Sequence, residues 1–406
     1  MTDSRPRPDL PLAMLAGIAL LSTAGPFGTD MYLPSLPDIS RDLGTTDSGT
    51  QLTITAFMVG MALGQLVMGP LSDRAGRHRM LTAATVVWLV ASVLCAVVPG
   101  VGAFIVVRLF QGAAGGTCVM LGRSMIADRA SGAAAAKALS TMMIFTAVAP
   151  IIAPVVGSAV AGLGDWRTVF WTLAAVGVLE VVVALSLPET LQRENRAPGP
   201  PGDVYRRMGG LFRIPAFVGH LGAFAVGFGV FFSFVSGSSF VMQEELGLSP
   251  AGFSLVFAGN AVALVVTNLV NARIVGHYGP ATLQRAGHVL LVAGALSLLV
   301  VALVAPSVPA VVVCTAVATV GNALNMGNTT AQAMDLSRGR AGAGSALLGA
   351  GQFITAGAVA PLVGLGSDGL LSMSLVMTVC ALIAAAAGVF ARGRGPVPPR
   401  RAVSRD

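Results

Sequence analysis

Twelve separate runs of about twenty mostly apolar residues punctuate this chain, and no soluble globule can bury that many. They lie near 12–34, 49–70, 80–98, 102–123, 138–162 and 168–187, then 216–241, 251–275, 284–304, 308–330, 342–365 and 370–391. A helix of about twenty residues crosses a hydrocarbon core roughly 30 Å thick, so each run suffices for one passage. Within lipid, every backbone N–H and C=O must be satisfied inside the segment, which for runs of this length means α-helix. Composition agrees: 11% of the 406 residues are charged and 54% hydrophobic, against about 25% charged in an ordinary soluble domain. The fold class expected is an all-α integral membrane protein with twelve transmembrane helices.

The stretch PETLQRENRAPGPPGDVYRRMGGLFR, 188–213, is polar, rich in proline and glycine, and holds five arginines. It splits the spans six and six, so residues 1–187 form a first six-helix bundle, 188–213 a cytoplasmic linker and 214–391 a second bundle. Residues 392–406 form a basic cytoplasmic tail. Of the 25 Lys and Arg residues, 22 fall on one alternate set of segments; Arg41 and Arg167 fall on the other, and Arg108 inside a span. The positive-inside rule then puts both termini in the cytoplasm. Arg5 and Arg7 before an apolar stretch are also the layout of a cleavable signal, but the many similar runs that follow favour a first span. A net charge of +7 could suggest nucleic acid; the basic residues form no single patch, and the tail most simply faces anionic lipid.

Enzyme chemistry finds no support. The histidines (His78, His220, His277, His288) are scattered, no HExxH, CxxC or phosphate-binding loop occurs, and Cys95, Cys118, Cys314 and Cys380 all lie in apolar runs. No cofactor, metal or partner chain is called for, and the protein is expected to act as a monomer. Short loops and equal halves match a two-repeat transporter with its binding site between the halves near the midplane. Hydropathy counts spans without demonstrating the repeat; a faint echo is SDRAG at 72–76 against VGHYG at 275–279, in the same loop of each half.

The loop GPLSDRAGRHR, 69–79, carries an acid and three basic residues in a tight turn. Asp73 can accept from amides at a helix N-terminus, while Arg74 and Arg77 seek carboxylates. This loop resembles the signature G-x-L-x-D-R-x-G-R-R/K of the major facilitator superfamily through Gly69, Leu71, Asp73, Arg74, Gly76 and Arg77, with His78 where a second basic residue is usual. The resemblance implies that fold, alternating access, and a charge cluster holding the outward-open state in which Asp128 of RSMIADRA is the partner of Arg77. The pattern R-x-x-Q-G is met by Arg108, Gln111 and Gly112, and Gly112 with Gly116 makes a close-packing pair. In AVAPIIAPVVGSAV of span five, Pro150, Pro154 and Gly157 make a kinked, small-faced helix. It departs from the exporters' G-P-x-x-G-G, since Ala149 and Ala153 replace glycines and Pro154 the last. With DMYLPSLP, DWRTVF and LPETL, the first half resembles the bicyclomycin/chloramphenicol-type branch of drug exporters, Bcr/CflA. That implies a drug/proton antiporter carrying a small drug-like molecule; a proton-coupled importer or exporter of an endogenous metabolite would share the same motifs.

Inside GTDMYLPSLP of span one lies a single acid, Asp30, beside Tyr32. Arg108 lies about seven residues into span four, roughly 10 Å deep at 1.5 Å per residue, where an arginine marks a functional site with a partner. Asp30 sits seven residues before Pro37, a similar depth, and in the superfamily both spans line the cavity. The expectation is that Asp30 alternates between a proton and an ion pair with Arg108 or a cationic drug: loss of water favours the acid, the nearby guanidinium the anion. The bland reading is an aspartate that caps a helix end near the headgroups. Glu180 of span six reads as packed or snorkelling. The phenylalanines of span seven (Phe224, Phe228, Phe231, Phe232) read as lipid-facing or packed. Asn322 and Asn325 of span ten, with amides of span eight, are expected along the pathway.

Overall fold

The computed structural model describes residues 11–130, 132–191, 194, 202–337, 340–366 and 368–393. Most of the expected basic tail, and 192–193 and 195–201 of the expected linker, lie outside the described residues. Twelve helices are long and apolar enough to cross a membrane: α1 Leu12–Asp42, α2 Asp47–Ala75, α3 Arg77–Val97, α4 Val101–Arg129, α5 Lys137–Ala161 and α6 Arg167–Ser186. The second set is α7 Pro215–Glu245, α8 Pro250–Tyr278, α9 Pro280–Val304, α10 Val308–Leu336, α11 Gly342–Val363 and α12 Gly369–Arg392. Several overrun the apolar windows, α4 by six residues at its end and α10 by as many, because a helix continues past the hydrocarbon wherever neighbouring helices satisfy it.

Packing within each set follows one plan. In the first, α2 packs on α4 and α3 on both α4 and α6; in the second, α8 packs on α10 and α9 on both α10 and α12. Across the sets, α2 packs on α11 and α8 on α5, the pair that an exchange of halves would generate. The loop echo is real geometry too. Gly76 (φ 98°) and Gly279 (φ 77°) each end one helix and begin the next, and only glycine adopts that backbone freely. Two-repeat architecture therefore rests on contacts and turns rather than on hydropathy.

Lipid tails are as apolar as leucine, so association depends on close packing rather than on the hydrophobic effect. On α4, a methyl at Gly112 would strike the Phe57 carbonyl and one at Gly116 the Met61 carbonyl of α2. Gly60 and Gly64 of α2 meet the Leu109 and Ala113 carbonyls in return.

The helix α1 is not continuous. It runs Leu12–Leu21, Ala24–Asp30, a 3₁₀ turn Leu33–Ser35, and Leu36–Asp42. Pro34 and Pro37 cause the last break, because they lack the N–H that would close on the carbonyls of Asp30 and Leu33. In the span connecting the halves, Gly202–Leu211 forms a helix whose Met208 and Leu211 are buried with Phe217 and Leu348.

Candidate functional site

A cavity of about 230 Å³ lies between the halves, walled by α1, α2, α4 and α5 on one side and by α7 and α11 on the other. Through Gln65 and Arg123 it shares its wall with a vestibule of about 430 Å³ at the end carrying the 69–79 loop. Its apolar surface comes from Phe228, Phe231, Phe232 and Phe353, with Met58 and Met61. Phe228, Phe231 and Phe232 of the span-seven stripe thus face the cavity, correcting their reading as lipid-facing or packed, whereas Phe224 is packed in the core as that reading has it. Phe234 and Phe240 lie in the core.

Among the described residues, two ionisable side chains line this cavity, Asp30 and Arg123. Asp30 is 7% exposed, and no ion pair or hydrogen bond of its carboxyl occurs among the described residues. Arg108 does not meet it. That guanidinium is fully buried: Nη1 donates to the Gly28 carbonyl at 2.9 Å and to Gln111 Oε1 at 2.7 Å. Its carbon sits 4.3 Å from the centre of the Tyr32 ring and 4.2 Å from that of Phe57, cation–π distances worth about 2 kcal/mol each when desolvated. Gln111 in turn donates to Ser92 Oγ at 2.9 Å, and Tyr32 shares a 3.1 Å hydrogen bond with Thr53. Equal depth on two helices says nothing of azimuth. Arg108 points into the packing of its own bundle, and Asp30 into the space between bundles.

The apolar window of span four ends at Arg123, so the charge count places this residue with the cytoplasmic loop. It belongs to α4, whose helix runs on to Arg129, and its side chain is exposed to cavity and vestibule alike. The recess between the halves gives this charge open space at the end of the apolar window. Asn322 and Asn325 are fully buried and are not in the cavity wall. Asn325 donates to the Ala223 carbonyl at 2.9 Å and accepts from Thr329, while Asn328 reaches Asn271 at 2.8 Å; these amides tie helices of the second half together. Glu180 is fully buried and neither of its oxygens has a hydrogen-bond partner.

The signature loop builds a cluster inside one half. Arg77 lies 2.6 Å from Asp73, 3.1 Å from Asp128 and 2.6 Å from Ser72 Oγ. The amide of Arg77 donates not to Asp73 but to Glu189 at 2.9 Å, and Glu189 also accepts from Thr190 and Leu191. Partial burial raises the Glu189 carboxyl, but these amide donors and His78 outweigh it and hold it below the usual glutamate range. Its signal in the sequence was only the LPETL resemblance. Gly69, Asp73 and Arg77 line the vestibule, Pro150 lines the cavity, and Gly157 of α5 presses on the Met31 carbonyl. Asp73 and Arg74 end α2.

At the opposite end the halves are stitched together. Ser239 donates to the Leu33 carbonyl at 2.6 Å and Gln243 to the Pro34 carbonyl at 3.0 Å. Ser254 donates to the Pro154 carbonyl at 3.0 Å, and Gln51 to the Ser236 carbonyl at 3.4 Å. The Leu33 carbonyl accepts from the Leu36 amide within the 3₁₀ turn and, with no N–H at residue 37 to add a second bond, from Ser239 as well.

The chain can be set beside known proteins at this point. An MFS-type transporter of Bacillus subtilis strain 168, YdgK, is 34% identical over 379 residues, covering 92% of this chain and 93% of that protein. A bicyclomycin resistance protein homolog of Haemophilus influenzae is 28% identical over 379 residues, covering 93% and 95%. Among solved structures, a bacterial homolog of the human lysosomal transporter Spinster, inward-facing and occupied, superposes with a TM-score of 0.75 at 17% identity over 95% of this chain and 98% of that one. The family model described as Major Facilitator Superfamily matches residues 18–240 and 219–406. With twelve spanning helices in two equivalent sets and a cavity between them, the chain is a membrane transporter of the major facilitator superfamily.

Proposed function

We propose that this transporter exports small drug-like molecules across the bacterial cytoplasmic membrane in exchange for protons. The observation that carries the coupling is the position of Asp30: among the described residues it is the only carboxyl in the wall of the central cavity, and none of them pairs with it. An acid so placed can hand its proton to one compartment and its charge to a substrate, and the two uses exclude each other. Each charge moved across 100 mV is worth about 2.3 kcal/mol, enough to sustain a drug gradient. The basic residues at the end bearing the 69–79 loop put that end, and the open vestibule, toward the cytoplasm. The stitched end then closes the outer face, so the cavity is ready to take its load from inside. The resistance named for the Haemophilus relative favours a drug over a nutrient as that load. No second chain is needed for the cavity.

The test is pH-driven efflux from everted membrane vesicles carrying wild type or Asp30→Asn, read beside drug-susceptibility panels of cells lacking or overproducing the protein. Loss of proton-driven efflux in the variant, together with resistance in overproducing cells, is the result expected. Efflux at the wild-type rate in Asp30→Asn removes Asp30 from coupling. Altered growth on one nutrient with no change in resistance turns the reading to metabolite transport.

A further inference from the structure

We infer that Arg123 is the substrate-recognition cation of the central cavity, and that the cavity selects electroneutral or zwitterionic aromatic molecules over lipophilic monocations. The inference rests on the reading of this cavity as the substrate site. Arg123 and Asp30 are the only charged side chains among the described residues of its wall. With Asp30 ionised the cavity is neutral overall, and with Asp30 protonated it is positive; in neither state is it negative. A cation gains nothing net on entering, whereas a dipolar molecule can meet both ends. Its hydrogen-bond donors would face the Asp30 carboxylate, its acceptor would face the Arg123 guanidinium, and its ring would lie among Phe228, Phe231 and Phe353.

The route in repeats the bias. The vestibule adds Asp73, Arg77 and Arg340. Arg77 is engaged by Asp73 and Asp128 at 2.6 and 3.1 Å, while Arg123 and Arg340 have no ion pair among the described residues, so the approach is positive and repels monocations before they reach the cavity. Arg123 is also free to act. It is exposed on α4 between cavity and vestibule, whereas the structural Arg108 is sealed by partners. Antiport remains consistent with this recognition. Protonation of Asp30 removes the acceptor that holds the donor end of the substrate, so proton and substrate compete.

The test uses the full chain purified in detergent, with equilibrium binding of two probes: chloramphenicol, a neutral nitroaromatic amide with hydroxyl donors, and tetraphenylphosphonium, a lipophilic cation without donors. Wild type is expected to bind the first and not the second. Arg123→Gln should weaken chloramphenicol at least roughly tenfold, the loss of one hydrogen bond to a charged group, and should create tetraphenylphosphonium binding. Arg123→Lys should restore both behaviours toward wild type, which a loss of folding could not do. A bulky plug in the same wall, Gln352→Trp, should abolish chloramphenicol binding. Should the plug abolish binding while Arg123→Gln leaves both probes unchanged, this inference fails and the substrate cavity stands. Should the plug leave binding intact, or should wild type bind neither probe, the cavity reading fails and this inference with it. Wild type that prefers the cation also overturns it.

Discussion

Two arginines on one helix, Arg108 and Arg123, have opposite surroundings. They stand about 22 Å apart along α4 at 1.5 Å per residue. Arg108 is fully buried, its charge spread over two aromatic rings, one carbonyl and one amide oxygen. Arg123 opens into the cavity without an ion partner among the described residues. The same residue type thus serves as a structural pin at one level and as a recognition group at the other. What separates them is whether the helices of their own bundle close over the guanidinium. At the level of Arg108 the broken α1 folds across it; at the level of Arg123 the halves stand apart.

The comparison can be broken at several points. The largest effect is expected from Arg108→Met. It leaves the Gly28 carbonyl and Gln111 without their donor where water cannot reach, at about 1–3 kcal/mol per orphaned group, and it empties the aromatic cage. The yield of monodisperse folded protein on size exclusion should collapse, whereas Arg123→Gln should melt within about a degree of wild type. Equal melting of both variants would erase the distinction drawn above. A smaller effect is expected at the stitched end, which shuts off the Arg108 level from outside. Ser239→Ala and Gln243→Ala each remove one hydrogen bond to the broken α1, about 1 kcal/mol or roughly fivefold in the balance between closed and open outer faces. The readout is labelling of a cysteine placed at Thr29 by an impermeant thiol reagent in intact cells, where the four native cysteines are buried; unchanged labelling would deny these bonds a latching role.

The smallest effect concerns the cluster at the vestibule end. Glu189 is held below its ordinary value, so its contribution is complete above that value, 4.5, and is lost as pH falls through the depressed one. Thermal stability should be flat from about pH 7 to pH 5.5 on this account and should fall below it. Glu189→Gln should lower stability near neutrality by about 1 kcal/mol and flatten the acid limb. An acid limb identical in the variant would place the sensitivity elsewhere.

Much of this molecule was legible in its residues. All twelve spans stood out, because lipid demands about twenty apolar residues per passage and tolerates few exceptions. The Arg77–Asp128 contact at 3.1 Å sits where the signature-loop resemblance pointed. Other features were not legible. The amides of Asn322 and Asn325 look alike whether they face a cavity or a neighbouring helix, and here Asn325 bonds across to the Ala223 carbonyl while Asn322 is buried in the packing of α10. The aromatic stripe of α7 carries no mark that tells lipid from cavity. Arg123 was hidden because it is the last residue of its apolar run, where a charge counts with the loop that follows.

Composition and periodicity by themselves determined how many times the chain crosses and which residues are costly to place in lipid, since those follow from one-dimensional transfer energies. The prolines after Asp30 also determined that α1 must break, because the missing N–H groups are covalent facts. Only the tertiary structure decided which cation shares a space with Asp30. That depends on how each helix is rotated about its axis, and the rotation is set by close contacts such as Gly112 against the Phe57 carbonyl, which no count along the chain contains.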